Sequence, residues 1–307
     1  MPVTNISRRD AALPLTEAEA LAVLGLATEA ARADGGTPLS EQFRLGVESR
    51  ESTGTEHVLA HDEAGALVGY AQVRRGAPGD PPSAELFVSP PARRHGVGTA
   101  LLAALPADVR VWSHLDSRAA TGFALASGLR AVRSLHRMGR RLAGGPAWPP
   151  ASIPERYAVR SFERGRDEAE WLRVNAAAFA AHPEQGSLAR ADLDQRMAQP
   201  WFDPTGFILV VDKADPDHVV AFHWTKVDPP DGPSGEVYAV GVAPERQGEG
   251  LGRAVTILGL DHLRARGLDD VELYVDEDNT AALRTYRGLG FESLEVHRQY
   301  AAGGADG

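Results

Sequence analysis

Two stretches of this chain join an apolar strand to an apolar helix through a proline turn and closely spaced glycines. The first runs Leu86-Phe87-Val88, then Pro90-Pro91, then Arg94-His95-Gly96-Val97-Gly98-Thr99. The second runs Val240-Gly241-Val242, then Pro244, then Gln247-Gly248-Glu249-Gly250-Leu251-Gly252-Arg253. Glycine lets the backbone curl and a ligand approach closely. The helix that follows presents unpaired N–H groups and the positive end of its dipole, which favour a phosphate. The chemistry is pyrophosphate binding. Arg93, Arg94, Arg246 and Arg253 can add positive charge. No Gly-Lys-Ser/Thr follows, so this is not a P-loop. Each loop also comes after several strands, whereas a dinucleotide fingerprint follows the first.

The copies keep a constant offset of 154 residues, from Pro90 to Pro244 and from Gly98 to Gly252. A repeat that long duplicates a whole domain. A chain of 307 residues has room for two domains, each with its own core. The first is expected over residues 1–142 and the second over residues 154–307. Residues 143–153, rich in Gly and Pro, read as a linker. Thr16 and Glu19 have capping-box spacing before an Ala/Leu-rich helix to about Asp34. A short helix is expected near Ser40, strands over 57–61 and 66–74, and the loop strand at 84–88. A helix over 97–105, a strand over 109–113, a helix over 117–127 and a strand through Met138 follow. The second half repeats the order: strands at 157–161, 206–211, 219–226, 235–242, 271–275 and 291–297; helices at 168–180, 188–197, 251–264 and 279–287. Antiparallel pairs before alternating strands and helices imply an α/β fold with a mixed sheet.

Composition excludes several classes. A net charge of −10 argues against a nucleic-acid partner. No apolar run is long enough to span a membrane, and no signal-peptide pattern opens the chain. The absence of Cys removes disulfides, thiolate metal sites and a cysteine nucleophile. A cytoplasmic monomer acting on a small molecule is the expectation.

Val242 through Arg253, Asn279-Thr280-Ala281-Ala282-Leu283-Arg284-Thr285-Tyr286 and Gly288-Leu289-Gly290-Phe291 resemble the GNAT family of acetyl-CoA-dependent N-acetyltransferases. Within that family, His182-Pro183-Glu184-Gln185-Gly186, Ala221 through Val227 and Gly235-Glu236-Val237-Tyr238 resemble the mycothiol synthases. The likeness covers nearly the whole chain and is strongest from Ala177 to Phe291. It implies two tandem GNAT domains, each a mixed, mainly antiparallel sheet flanked by helices. It implies acetyl-CoA in each domain, as cosubstrate in the second, and no metal. Cofactor contacts would come from Val240, Gly241, Val242, Gln247 through Arg253, and Asn279 through Arg284. In the first copy they would come from Leu86, Phe87, Val88 and Arg94 through Thr99. The acceptor would be the cysteinyl amine of a glucosaminyl-inositol, held by Glu41, Glu184, Lys226, Glu236 and Tyr274. Glu41 lies in the first half, so the acceptor would touch both.

Acetyl transfer from a thioester to an amine needs a neutral amine, a polarised carbonyl, a held pyrophosphate and a proton for the departing thiolate. An α-amine titrates near 7.7–8.0, so a modest base suffices. Glu236 can serve directly or through a water, backbone N–H groups at Val240 to Val242 can hold the oxyanion, and Tyr286 can supply the proton. Plainer roles exist. Tyr286 can pack on Leu283 and Phe291, Glu236 can pair with Lys226, Glu41 can sit at a helix start, and Asn279 can cap a helix. His182 and His223 read as structural, and Trp171, Trp201 and Trp224 as core. At the fixed offset Pro82 stands opposite Glu236; aligned on Gly128 and Gly290, Ala124 stands opposite Tyr286 and Ser117 opposite Asn279. The first domain is therefore expected to bind the cofactor without catalysing transfer. A GNAT enzyme for another amine, an aminoglycoside or a peptide N-terminus, and a non-catalytic acyl-CoA sensor are the alternatives.

Overall fold

A computed structural model describes residues 5–49, 54–75, 79–115, 117–180 and 183–303, apart from the side chains of residues 183 and 184. The chain forms two compact units, Met1–Leu135 with Glu295–Gly307, and His136–Leu294.

The first unit holds β1 (Asn5–Arg9), α1 (Glu17–Asp34), α2 (Glu41–Glu48), β2 (Thr55–His61), β3 (Leu67–Arg74), β4 (Ser83–Val88), α3 (Val97–Ala103), β5 (Arg110–Ser113), α4 (Arg118–Ala126) and the start of β6 (Leu129–Arg141). The second holds the rest of β6, β7 (Tyr157–Ser161), α5 (Glu168–Ala178), α6 (Pro183–Gly186), α7 (Arg190–Met197), β8 (Phe207–Asp212), β9 (Val219–Lys226), β10 (Ser234–Val242), α8 (Leu251–Ala265), β11 (Asp270–Asp276), α9 (Thr280–Arg287) and the start of β12 (Glu292–Ala302). Neither β1 nor α6 was expected from the pattern; both are too short to show a period. The capping box at Thr16 forms as read, with Glu19 N–H donating to Thr16 and Thr16 N–H to Glu19.

Strand order in the first unit is β1-β2-β3-β4-β5-β12, and in the second β7-β8-β9-β10-β11-β6. β4 pairs with β5 and β10 with β11 in parallel, while β1 to β4, β7 to β10, and β12 with β5 pair antiparallel. The units do not end where the repeat does. Arg298 to Tyr300 of β12 pairs with β5, while β6 beyond Leu135 lies beside β11. Each final strand thus covers the open edge that β5 or β11 would expose. Residues 143–153 are irregular, as expected, but docked. Trp148 Nε1 donates to Asp261, and Arg140 and Arg264 stack on the Trp148 ring.

In the second unit β9 is buried along its whole length, because helices cover both faces. Trp171, Phe207, Phe222 and Trp224 fill one side; Val255 of α8 packs on the other. His223 points at α8, where its Nδ1 lies 2.9 Å from the Val255 carbonyl. A Cβ on Gly259 would come within 2.0 Å of that ring, so only glycine fits there. His223 is structural, as its sequence context suggested.

Burial pushes the His223 imidazole down to about 4, and that of His57 in the first unit likewise to about 4. Both are neutral in the fold and charge on unfolding. Their contribution is complete above the unfolded value near 6.5 and is lost as pH falls toward 4. Each should cost about 3 kcal/mol of stability over that window. Urea unfolding at pH 7 and pH 4.5 tests this. A His223→Leu chain should be less stable at pH 7 yet flatter with pH; an unchanged slope would remove His223 from the account.

Candidate active site

The second phosphate loop is built as its residues require. After β10 a single turn over Pro244–Arg246 leads to Gly248 and Gly250, at φ of 85° and 79°. Both values lie in the left-handed region that favours glycine. α8 then begins at Leu251. A Cβ on Gly252 would sit 3.6 Å from Val242. The first loop follows the same path through Pro90–Ala92 to Gly96 at φ 83° and α3. Arg94 there holds φ 63°, the place that Gly248 takes in the second copy.

The strands open beside each loop. β10 pairs with β11 only from Ser234 to Val237, and a bulge between Val237 and Ala239 interrupts its ladder with β9. Val240 to Val242 therefore lie beyond the β11 register. β4 likewise pairs with β5 only from Ser83 to Glu85, before Leu86, Phe87 and Val88. Parted parallel strands offer main-chain groups to an extended ligand, which is how a chain with amide groups can be gripped. Together with the helix N-terminus, this opening suits a long pyrophosphate-bearing thioester such as acetyl-CoA.

Glu236 stands on β10 between Lys226 of β9 and Glu272 of β11. Its Oε2 lies 3.9 Å from Lys226 Nζ, which is also 3.6 Å from Asp228 Oδ2. The ammonium sits 5.0 Å from the Trp201 ring and 5.5 Å from the Tyr238 ring. Arg196 Nε donates to the Tyr238 hydroxyl at 2.7 Å. Lys226 is thus a buried cation held by two carboxylates and two aromatic faces. Glu236 remains 21% exposed and so can reach a substrate. Asp228 and Arg196 were not singled out in the sequence, and Tyr238 entered only as the end of the segment Gly235-Glu236-Val237-Tyr238. Trp201, read as core, is core and also a wall of this site.

Tyr286 lies on the buried face of α9, its ring against Phe291 at 5.7 Å. Burial pushes its phenol up to about 12, so it keeps its proton at neutral pH. Asn279 caps α9, accepting from Ala282 N–H at 3.1 Å, and Ser117 caps α4 in the same way from Ala120. Thr280, Ala281, Leu283 and Arg284 form the turn of α9 beyond that cap. Arg253 reaches the Gly288 carbonyl, which links α8 to the end of α9. Tyr274, on β11, is 40% exposed. The side chain of Glu184 and the whole of His182 lie outside the described residues. α6, which carries Glu184, is tied to α5: Asn175 Nδ2 donates to the Gln185 main-chain carbonyl at 2.7 Å, and Gln185 Nε2 donates to Asn175 Oδ1 at 2.9 Å. Glu41 opens α2 in the first unit, behind Ser40.

Counting from the loop set Pro82 opposite Glu236. Strand register corrects this. Val242 pairs with Ala221 and Glu236 with Lys226, while Val88 pairs with Gly69 and Ser83 with Arg74, so Ser83 stands opposite Glu236. The one-residue bulge of β10 has no counterpart in the β3–β4 ladder, so the fixed offset fails by one position before the loop. The one carboxylate on β4, Glu85, is no open base. It is 1% exposed; Oε1 lies 2.6 Å from His114 Nε2, and Oε2 accepts from Ser40 N–H at 2.9 Å. Among the described residues no group of three or more His, Asp or Glu side chains is gathered as a metal would need. No helix among them is long and apolar enough to cross a membrane.

Two family models match the chain. The acetyltransferase (GNAT) family model covers residues 169–291, and an acetyltransferase (GNAT) domain model covers residues 53–132. A mycothiol acetyltransferase of Streptomyces griseus subsp. griseus is 48% identical over 93% of this chain and 92% of its own length. One from Kytococcus sedentarius is 47% identical over 93% of this chain and 95% of its own. Among solved structures, a tandem GNAT protein from the clavulanic acid biosynthesis pathway superposes with a TM-score of 0.69 at 19% identity. That likeness covers 98% of this chain and all of the other, and it concerns the fold alone.

Proposed function

The chain belongs to the GNAT acetyltransferases, in the mycothiol acetyltransferase family, and we propose that it acetylates the cysteinyl amine of a glucosaminyl-inositol, giving mycothiol and CoA. The observation that carries the reaction is the partly exposed Glu236, held by Lys226 on the strand that runs into the phosphate loop. Bound acetyl-CoA supplies an activated acetyl group and a thiolate leaving group. The rest falls to the chain. Glu236 takes a proton from an α-amine that is already partly neutral at pH 7. Backbone N–H groups at Val240 to Val242 face the carbonyl oxygen as it gains charge. Tyr286 presents its proton to the departing sulfur. A thiol titrates near 8.5, so its thiolate is a weaker base than the Tyr286 phenolate. The phenol therefore steadies the thiolate mainly by hydrogen bonding. With no cysteine in the chain, the amine attacks directly in a ternary complex. Lys226, Glu236 and Tyr274 offer donors and carboxylate acceptors to a polyhydroxylated, cationic acceptor.

The test is acetyl-CoA consumption with the cysteinyl-glucosaminyl-inositol amine against aminoglycosides and peptide N-termini. Preference for another amine would overturn the acceptor assignment while leaving the acetyl transfer.

The first unit, in this reading, binds acetyl-CoA or CoA and does not catalyse. It keeps the loop, but it has Ala124 where Tyr286 would stand, and both oxygens of Glu85 are engaged. Gly96→Val forces a β-branched residue to φ 83° and should abolish binding at that loop. Turnover should fall by no more than about three-fold, since no proton-transfer group is touched. Loss of turnover in a chain whose second unit still binds acetyl-CoA would contradict this division.

A further inference from the structure

Glu249 is an anion inside the loop meant for a pyrophosphate. It sits between Gly248 and Gly250, both left-handed, where the backbone itself resists rotation least. Left loose, its carboxylate would compete with the ligand for the amides of α8. It is not loose. Tyr157, at the start of β7 and 3% exposed, donates its hydroxyl proton to Glu249 Oε2 at 2.8 Å. The Arg156 guanidinium pairs with the same oxygen and stacks over the Tyr157 ring at 4.8 Å. These residues are 92 and 93 positions from Glu249 in sequence, on the far side of the sheet order from β10. The first copy has His95 at this place and so carries no anion there.

We propose that Arg156 and Tyr157 are positioning residues for the second phosphate loop, holding the Glu249 carboxylate away from the pyrophosphate so that the amides ahead of α8 stay open to it. The inference rests on the reading of that loop as the acetyl-CoA site. Three features support it: a buried hydroxyl on the carboxylate, a cation balancing its charge, and a loop that has no other side chain between its two left-handed glycines. The Tyr157 hydroxyl and the Arg156 cation also hold Glu249 below the usual carboxylate range, so the tether persists through mildly acidic pH.

The experiment is steady-state kinetics of the full chain with any amine that it turns over, so a wrong acceptor assignment leaves the test standing. Tyr157→Phe removes only the hydroxyl and should raise the acetyl-CoA KM roughly ten-fold, the loss of one bond to a charged group. Acceptor KM and kcat at saturating acetyl-CoA should hold. Glu249→Gln added to Tyr157→Phe should bring the acetyl-CoA KM back most of the way, because the freed anion is gone. A merely structural tyrosine would show no such rescue. Arg156→Gln, at a residue 54% exposed in its side chain, gives the same readout without touching the core. An unmoved acetyl-CoA KM in Tyr157→Phe and Arg156→Gln, or a double variant no better than Tyr157→Phe, overturns the proposal.

Discussion

Tyr286→Phe should lower kcat by about 10²-fold and leave the acetyl-CoA KM nearly unchanged. The ring that packs on Phe291 and Leu283 survives the change, so the fold should melt where the parent does. Only the hydroxyl is lost, and with it the donor for the departing thiolate. That donor keeps its proton across the working range, since burial holds the phenol near 12. The parent should accordingly show no basic limb from Tyr286 below about pH 10. Stopped-time assays of CoA release, with saturating acetyl-CoA, read the effect directly. If Tyr286→Phe kept full kcat, another group would have to meet the thiolate.

Glu236→Gln should be as severe near neutrality, with kcat/KM for the acceptor down by about 10²–10³-fold. The mechanism specifies how this deficit changes with pH. The base is needed because an α-amine is largely protonated below its own pKa near 7.7–8.0. As the pH rises past 8 the amine is neutral unaided, and the gap between variant and parent should narrow by about ten-fold, the share set by amine protonation at pH 7, while the rest reflects proton removal during attack. Lys226 retains Asp228 and the two aromatic faces in the variant, so it should stay in place. A pH–rate series from 6 to 9.5 separates this from a loss of acceptor binding, which would leave the gap constant. A deficit below ten-fold at pH 7 would remove Glu236 as the base.

Part of the site was legible because it is local. A left-handed turn selects glycine within a few residues, so Gly248, Gly250 and Gly96 stand out in the chain itself. Apolar periods mark α1, α8 and α9, and polar residues at the starts of α1 and α9, Thr16 and Asn279, mark caps. The alternation in β10 likewise placed Glu236 on a strand that leads to the loop. What escaped notice was what no window contains. The bulge in β10 changes register without any proline or glycine signal at Tyr238, and that moved the counterpart of Glu236 from Pro82 to Ser83. β12 reaches β5 across more than 180 residues, so the repeat boundary was not the boundary of the compact units.

Short motifs by themselves marked the duplication and the two loops, and their resemblance to GNAT sequences implied the fold and the placing of Glu236 and Tyr286 in only one copy. Each loop follows from backbone preference and residue chemistry within a dozen positions. Tertiary structure alone decided that Lys226 is caged by Asp228, Trp201 and Tyr238, that Glu85 is spent on His114 and Ser40, and that Glu249 is tethered to Arg156 and Tyr157. Each is a charge with at least one partner from a distant part of the chain. Desolvation makes such a partner necessary, but only the packed sheet determines which residue supplies it.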